Sequence, residues 1–298
     1  IKIPSEKNDN IPPDLHQSHW CTEMGIEFIN KNRSHNQPWL LSVNPFDPHP
    51  DFDPPWDYYK NYDLSTMPLP HFQSKDLSLQ QQLELAGVDF QKMALYPEPD
   101  VSRKRVACYL AMIELLDHEF GRLIDYLNET NQRKNTLIIF SSDHGDMDGS
   151  HQMEHKTALY EEATKIPLII SWKDIKYPGT VDKTHLVSNG LDLVPTICDF
   201  AQIKPPDELE GMSLKPIIEN TNTYNWRKDL HVESEFGDMI TNSKYKYVLY
   251  DKGTNREQLI DLQSDSGEIN NLIEQPKLKQ IKNTLRNSLF EKIKQYKN

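Results

Sequence analysis

Three sets of residues have the types and spacing that bind metal ions or anions. The first is Ser141-Ser142-Asp143-His144-Gly145-Asp146, which comes directly after the apolar run Thr136–Phe140. In open α/β sheets, ligands bind outside the carboxyl ends of strands. Asp143 and His144 at such a strand end, before a glycine suited to a tight turn, predict a metal site. The structural alternative is a strand-ending turn in which Asp143 caps a following helix.

Lys156 is the second candidate, and two histidines precede it at close range. His151 and His155 lie four residues apart, and with His144 they place three imidazoles within a short segment. That density is compatible with a zinc site, but the pair lacks the flanking glutamate arrangement of zinc proteases. Lys156 has two interpretations, a cation that binds an anionic substrate or a lysine on the solvated surface, where most lysines lie.

His49 is the third candidate, and a proline lies on each side of it in Asp47-Pro48-His49-Pro50. Proline restricts the backbone φ angle, so such a segment holds an imidazole in one direction. A fixed direction suits a side chain that contacts a ligand. A half-buried loop histidine without a chemical role is the alternative.

The charge balance excludes one class of partner. Lys and Arg number 33 and Asp and Glu number 45, which gives a formal net charge of −12. A nucleic-acid binder needs a basic face for its phosphate contacts, so we expect no nucleic acid partner. An anionic small substrate is compatible with this charge, because a metal ion and a few placed cations reverse the field locally. No apolar stretch approaches the ~20 residues of a membrane span.

The candidates lie among alternating helices and strands. Apolar residues recur at helical spacing in three segments, residues 17–30, 101–128 and 191–201, and in the first the apolar stripe is Trp20, Met24, Phe28 and Ile29. Continuous apolar runs over 136–140 and 166–172 are typical of parallel strands covered on both faces. A shorter run, 39–43, predicts another buried strand. This alternation predicts an α/β sandwich.

Two further segments complete the predicted organisation. Residues 44–70 form a Pro- and Asp-rich loop that contains His49, and its many aromatic residues favour a packed, functional loop. From about residue 226, short strands and a final amphipathic helix over 277–296 predict a small antiparallel sheet with a helix. We therefore predict two domains, residues 1–225 and 226–298.

Taken together, the motifs resemble those of the type I sulfatases of the alkaline phosphatase superfamily. The matching segments are Asn-Pro-Phe-Asp-Pro-His-Pro at 44–50, Thr-Leu-Ile-Ile-Phe-Ser-Ser-Asp-His-Gly-Asp-Met at 136–147 and Lys-Thr-Ala-Leu-Tyr-Glu-Glu-Ala-Thr-Lys-Ile-Pro-Leu-Ile-Ile at 156–170. Weaker matches follow in the family's order. The resemblance implies a calcium-dependent hydrolase of sulfate esters, with an alkaline-phosphatase-like sandwich of a mostly parallel sheet between helices, incomplete here.

One motif of that family is absent from the sequence. Sulfatases carry a Cys-x-Pro-x-Arg or Ser-x-Pro-x-Arg motif whose first residue becomes formylglycine, the nucleophile, and neither motif occurs here. The chain thus resembles the C-terminal two-thirds of a sulfatase. We expect it to be inactive alone and to have the missing N-terminal portion as a partner.

The resemblance assigns roles to four residues. Asp143 and His144 match calcium ligands, although calcium prefers oxygen to an imidazole nitrogen. Lys156 matches the lysine that contacts the sulfate oxygens. His49 matches a histidine on the substrate side, which contacts the sulfate or protonates the leaving oxygen. For His151 and His155 the resemblance gives no role.

Two alternatives are consistent with the same residues. One is a catalytically silent fragment or binding module, and the other is a phosphodiester or phosphonate-ester hydrolase of the same superfamily. The substrate is a small-molecule or glycan sulfate ester that the sequence leaves open. A periplasmic, secreted or lysosomal location is expected from the family.

Overall fold

The computed structural model describes residues 4–5, 11–32, 37–76, 78, 99–173, 175, 177–221, 225–252 and 256–296. These residues belong to two compact units. The first lies within Ile1–Pro70 and Pro97–Thr136, and the second within His71–Tyr96 and Leu137–Asn298. The predicted boundary between residues 225 and 226 falls inside the second unit and stays a prediction.

The described residues form helices, strands and short 3₁₀ turns. The helices are α1 (Gln17–Asn32), α2 (Trp56–Tyr59), α3 (Pro99–Glu129), α4 (Glu161–Thr164), α5 (Asn189–Ala201), α6 (Lys215–Ile218) and α7 (Lys279–Tyr296). The strands are β1 (Ile138–Ser141), β2 (Leu168–Ser171), β3 (Leu230–Ser234), β4 (Gly237–Thr241), β5 (Tyr245–Tyr250) and β6 (Glu257–Asp261). The 3₁₀ turns are Pro13–Leu15, Leu64–Thr66, Arg133–Asn135, Ser150–Gln152 and Pro276–Leu278.

In the first unit, α1 packs against α3 through a face of mostly small residues. The buried positions of α1 are Ser18, Thr22, Gly25 and Ile29, which recur every three or four residues. A Cβ on Gly25 would lie 3.2 Å from Val43 Cγ2 and 3.3 Å from Leu123 Cδ2. The predicted helix is confirmed, but its predicted stripe is buried only in part, because Ile29 lies in the buried face whereas Trp20 is 62% exposed.

The predicted strand over 39–43 is also wrong. The segment has no secondary structure, and its side chains alternate between half-buried and exposed positions. Leu41 and Val43 face α1 at Gly25, whereas Leu40 is 72% exposed. The segment therefore alternates half-buried and exposed side chains as a strand does. Among the residues that the structure describes, however, it forms no ladder hydrogen bonds.

The Pro-rich loop after that segment is packed, as predicted. Phe52 and Tyr59 are buried in a cluster with Ala107, Cys108, Ala111 and Met112 of α3. Phe52 and Tyr109 meet edge to face with ring centroids 5.8 Å apart. Small side chains on α3 thus leave room for aromatic rings from the loop that carries His49.

In the second unit, β1 and β2 pair with each other. The pair is antiparallel, with Phe140 opposite Ile169, so the expected parallel arrangement is wrong for these two strands. Continuous apolar runs indicate burial and do not encode the direction of pairing. Ile169, in the middle of β2, is 60% exposed, so one strand face is less covered than the run predicts.

The predicted C-terminal antiparallel sheet with a helix is confirmed. Strands β3, β4, β5 and β6 pair in chain order, and Leu285 and Leu289 of α7 pack against the sheet. Strand β4, which begins at Gly237 after a tight turn at residues 235–236, is an addition to the predicted strands. None of the helices formed by the described residues is long and apolar enough to cross a membrane.

A buried ion pair connects this sheet to α4. Lys246 of β5 and Glu268 are both buried and form a salt bridge, and Glu268 Oε2 accepts a 2.5 Å hydrogen bond from the backbone N–H of Glu161. Burial raises the pKa of Glu268, while Lys246 and that N–H lower it, and the net shift is upward. The start of α4 is thus fixed to the sheet.

Candidate active site

Asp143 lies in the turn that follows β1, as the sequence predicts. Its Oδ1 accepts hydrogen bonds from the backbone N–H of His144 at 2.9 Å and from the Ser142 hydroxyl at 3.3 Å. Partial burial alone would raise the pKa of the carboxyl, but these contacts and the adjacent imidazole lower it below its usual value. The side chain is 83% exposed. Asp143 therefore presents a carboxylate, not a carboxylic acid, at neutral pH.

His144 presents one ring nitrogen to the same place. Its Nδ1 lies 2.8 Å from the carbonyl oxygen of Gly145, and a carbonyl only accepts hydrogen bonds, so Nδ1 carries the proton of the neutral ring. The lone pair then belongs to Nε2, which lies 3.5 Å from Asp143 Oδ2. A backbone carbonyl that fixes the tautomer of a histidine is a common feature of metal ligands.

The donor set fits part of a cation site. Ligands of one divalent ion, bound at about 2.0–2.5 Å, lie about 3–4 Å apart, and Asp143 Oδ2 and His144 Nε2 have such a separation. Within the described ranges, no group of three or more His, Cys, Asp or Glu side chains is arranged to hold a metal ion. The two side chains could supply two ligands of such a site, of which the carboxylate suits calcium and the imidazole suits a transition metal.

Gly145 allows this turn to lie directly against another backbone segment. A Cβ at this position would be 1.9 Å from the carbonyl oxygen of Glu162 in α4. The backbone N–H of Gly145 donates a 2.9 Å hydrogen bond to the carbonyl of Ala163. The Asp-His-Gly sequence thus needs glycine for close approach, because any side chain would push the turn away from α4.

The segment that carries Lys156 is joined to the same turn. The backbone N–H of Met147 donates to the carbonyl of His155 at 2.8 Å, so the residue before Lys156 pairs with a residue four positions after Asp143. Lys156 itself is half-buried. The backbone therefore keeps the two predicted site segments side by side.

This segment adopts an unusual backbone conformation. Five of its non-glycine residues have positive φ angles between 39° and 86°, namely Asp148, His151, Gln152, His155 and Thr157. Each such residue costs of the order of 1–3 kcal/mol and persists only where the surroundings enforce it. Here the surroundings include an apolar cluster in which Met147, Met153 and Leu159 pack with Met239 and Val248 of the C-terminal sheet.

His151 contributes to this packing. Its ring is buried and stacks on Tyr160 with centroids 3.8 Å apart. Its nitrogens lie 3.7 Å from Asp76 Oδ1 and 4.0 Å from Glu162 Oε2, beyond hydrogen-bond distance. Its backbone N–H donates to the carbonyl of His71 at 2.6 Å. These contacts give His151 a place in the core of the loop, whereas His155 is half-buried.

Asn189 supports the turn and was not among the predicted site residues. Its side-chain amide donates to the carbonyl oxygens of Ser142 at 2.8 Å and Asp143 at 3.1 Å. Asn189 is the first residue of α5, after the N-cap Ser188, whose hydroxyl accepts from the N–H of Leu191. The pair Ser188-Asn189 is a recognisable helix start, but its contact with the turn spans more than forty residues.

A buried carboxylate holds α5 in place. Asp192 accepts two hydrogen bonds of 2.5 Å from Arg227 and one of 2.8 Å from the N–H of Met212. At Gly211 a Cβ would lie 1.7 Å from the carbonyl oxygen of Leu191. This network fixes the beginning of α5, and with it Asn189.

His49 lies in the first unit, on the packed loop. Its Nδ1 is 2.6 Å from the carbonyl oxygen of Pro50, and its ring lies against Phe46 with centroids 4.5 Å apart. Its N–H donates to the carbonyl of Phe46 at 3.0 Å. The half-buried imidazole is held in one direction, as the flanking prolines predict.

Comparison with known proteins identifies the family. The sulfatase family profile matches residues 4–203, and a profile described as N-sulphoglucosamine sulphohydrolase, C-terminal, matches residues 149–295. An arylsulfatase of Clostridium perfringens is 31% identical over 285 residues, which cover 94% of this chain and 58% of that protein. A multifunctional alkaline phosphatase superfamily protein of Trinickia caryophylli is 30% identical, over 86% of this chain and 50% of its own length.

Solved structures confirm the α/β fold. A phosphonate monoester hydrolase of Agrobacterium radiobacter superimposes with a TM-score of 0.84 at 22% identity, covering 98% of this chain and 64% of that structure. A structure in complex with its substrate D-glucosamine-2-N,6-O-disulfate gives 0.74 at 21% identity, covering 94% and 70%. The chain spans about half to three-fifths of the length of the two sequence relatives. The profile match over most of the chain, in agreement with the motifs at 44–50, 136–147 and 156–170, shows that this chain belongs to the sulfatase family.

Proposed function

We propose that this chain supplies the cation-binding and sulfate-binding side of a hydrolase that cleaves sulfate esters into an alcohol and sulfate. The observation that carries the proposal is the pairing of two backbone segments in a member of the sulfatase family. One segment presents the Asp143 carboxylate and the His144 Nε2, and the other leads into Lys156. The two paired segments would thus offer two metal ligands, Asp143 and His144, and a cation, Lys156, for an anionic group.

The roles of the residues follow from their chemistry. Asp143 and His144 would hold a divalent cation, calcium by the family resemblance, which would supply positive charge next to the sulfate group. Lys156 binds the sulfate oxygens and stabilises the charge that develops on them. His49 contacts the sulfate or protonates the leaving oxygen. The substrate is a small-molecule or glycan sulfate ester.

The nucleophile is a separate part of the proposal. No Cys-x-Pro-x-Arg or Ser-x-Pro-x-Arg occurs in the sequence, so we propose that an N-terminal portion supplies the formylglycine and the remaining cation ligands. Without that portion the 298-residue chain lacks the motif that gives the family its nucleophile. It is then expected to bind a ligand without turning it over.

A second candidate is a phosphonate-ester or phosphodiester hydrolase. The observation that favours it is His144, because an imidazole is a poor ligand for calcium and a good one for a transition metal such as zinc. The relative from Trinickia caryophylli is described as multifunctional within the alkaline phosphatase superfamily. The identity of the bound ion and the preferred ester distinguish the two candidates.

The first test separates the metal site from the sulfate site. In the full gene product that contains these residues, Asp143→Ala is expected to lose bound metal and the thermal stabilisation that metal gives. Lys156→Ala is expected to keep its metal and to lose about 10²-fold or more in kcat/KM, as when an oxyanion donor is removed. Elemental analysis and steady-state kinetics on an aryl sulfate and an aryl phosphonate measure both effects.

The same experiment contains its controls. Lys165→Ala removes a lysine that is exposed and paired only loosely, at 3.9 Å, with Glu161, and it should leave metal content and kcat/KM unchanged. The isolated 298-residue chain should give no turnover. Loss of metal in Lys156→Ala, or full metal in Asp143→Ala, would contradict the assignments. A preference for the phosphonate together with bound zinc would support the second candidate.

A further inference from the structure

The carboxylate of Asp47 is buried at the N-terminal end of α1, where two hydrogen-bond donors and an imidazole surround it. Asp47 Oδ2 accepts a 2.5 Å hydrogen bond from the Ser18 hydroxyl, and Oδ1 accepts one of 3.2 Å from the Gln17 side-chain amide. The Nδ1 atom of His16, which is also buried, lies 3.3 Å from Oδ2. One aspartate thus connects the Pro-rich loop to three consecutive side chains on or next to the helix.

Asp47 belongs to the same short turn as His49. The turn is closed by the hydrogen bond from the His49 N–H to the Phe46 carbonyl, and the rings of these two residues are in contact. Asp47 is the buried residue of this turn, whereas Phe46 is more than half exposed. The Asp47 carboxylate therefore attaches this turn to the start of α1.

The turn determines which nitrogen of His49 exchanges a proton. The Pro50 carbonyl lies 2.6 Å from Nδ1, and because it cannot donate, Nδ1 keeps its proton in both the neutral and the charged ring. Nε2 is then the atom that gains or loses a proton. If the turn relaxed, this contact would open and the neutral ring could adopt either tautomer.

We propose that Asp47 is a positioning residue for His49. Its hydrogen-bonded carboxylate holds the turn from Phe46 to His49 and so keeps the His49 ring against the Pro50 carbonyl. That carbonyl fixes the tautomer, so that Nε2 is the proton-exchanging atom. The contribution of this fixed tautomer to catalysis rests on the proposed function, in which His49 protonates the leaving oxygen. The geometry itself belongs to the first unit and does not depend on the reaction.

The test reads the tautomer directly. Nitrogen-15 NMR of the labelled 298-residue chain, above the pH at which imidazole titrates, is expected to show His49 with a protonated Nδ1 and an unprotonated Nε2. In Asp47→Asn, an NH₂ group replaces one carboxylate oxygen and points its hydrogens at a donor, Ser18 or Gln17. The turn is then expected to loosen, and the His49 signals are expected to shift toward the Nε2–H form that prevails in water. Asp57→Asn makes the same chemical change on the exposed surface of this unit and should leave the tautomer unchanged.

A second variant covers the case in which Asp47→Asn fails to fold. Ser18→Ala removes one donor to the carboxylate, and an amide spectrum that is otherwise preserved would show that the unit is intact. The signals of His49 should shift part of the way in this variant. Wild-type His49 in the Nε2–H form, or folded Asp47→Asn and Ser18→Ala variants that retain the wild-type tautomer, would overturn the proposal.

Kinetics distinguish this inference from the proposed function. In the full gene product, Asp47→Asn should lower kcat about 10-fold or more for an ester with a poor leaving group and less for an activated aryl sulfate, with KM nearly unchanged, because a good leaving group needs little protonation. If the tautomer shifts and kcat falls equally for both esters, Asp47 still positions His49, and the acid role given to His49 is wrong.

Discussion

The two loops that carry the candidate site residues are held by different means. The turn around His49 depends on a side chain, the Asp47 carboxylate with its donors Ser18 and Gln17. The turn around Asp143 depends largely on backbone contacts, above all the approach of Gly145 to the Glu162 carbonyl, and the Asn189 amide supports it. A loop of the first kind can be released by changing one charge. A loop of the second kind is disturbed most by filling the space between two backbones.

The largest expected effect is on the backbone-held loop. Gly145→Ala should lower the free energy of unfolding by about 3 kcal/mol, because the new Cβ meets a carbonyl oxygen and the backbone must move. Gly121→Ala is the matched control, since a Cβ there, in the middle of α3, meets no atom within 4 Å. That variant should gain about 0.5–1 kcal/mol from helix propensity. Urea denaturation of both variants measures the difference between their free energies of unfolding. Equal stabilities would contradict the prediction that the space next to Gly145 must stay empty.

A smaller effect is expected on the loop held by a side chain. Asp47→Ala leaves the side chains of Ser18 and Gln17 without their acceptor, removes the carboxylate next to the buried His16, and should cost about 1–3 kcal/mol. Ser18→Ala should cost about 1 kcal/mol. The same denaturation experiment with Asp57→Ala, which removes an exposed carboxylate, should show a change below about 0.5 kcal/mol. If Asp47→Ala were as mild as Asp57→Ala, the carboxylate would not hold the loop.

The smallest expected effect is a dependence on pH. Burial raises the pKa of Asp47 above its ordinary value of 3.8, although Ser18 and His16 oppose the shift. The folded protein then binds a proton more readily than the unfolded chain, so this residue makes stability fall as pH rises from 3.8 through the raised pKa. Unfolding free energies measured from pH 3.5 to 7 should show a shallower decline in Asp47→Asn than in the wild type. An unchanged slope would show that Asp47 titrates normally.

The sequence predicted the elements better than the faces they bury. Periodicity located α1, α3 and α5 to within a few residues because apolar spacing follows the helix repeat. The buried face of α1 was predicted correctly only at Ile29, because close packing elsewhere on it depends on Gly25, Ser18 and Thr22, which carry no apolar signal. The direction of pairing between β1 and β2 was wrong for a related reason: an apolar run records burial, and pairing is decided by the rest of the chain.

In the candidate site, too, local motifs were predicted and contacts between distant residues were not. Motif resemblance identified Asp143, His144, Lys156 and His49, and their roles stay predictions. The supporting residues Asn189 and Asp192 act through contacts with residues distant in sequence, which no local pattern encodes. Asp47 lies inside the motif at 44–50, yet its significance depends on donors from α1 almost thirty residues earlier.

The packing of α1 against α3 has a consequence for synthesis of the chain. Helix α1 ends at Asn32 and α3 at Glu129, so at about 5–20 residues per second the first helix leaves a ribosome roughly 5–20 s before its packing partner is complete. During that delay the face that will later be buried is open to chaperones and to neighbouring nascent chains. Three of its four buried positions are Ser18, Thr22 and Gly25. That face therefore exposes little apolar surface to chaperones and nascent chains before α3 is complete.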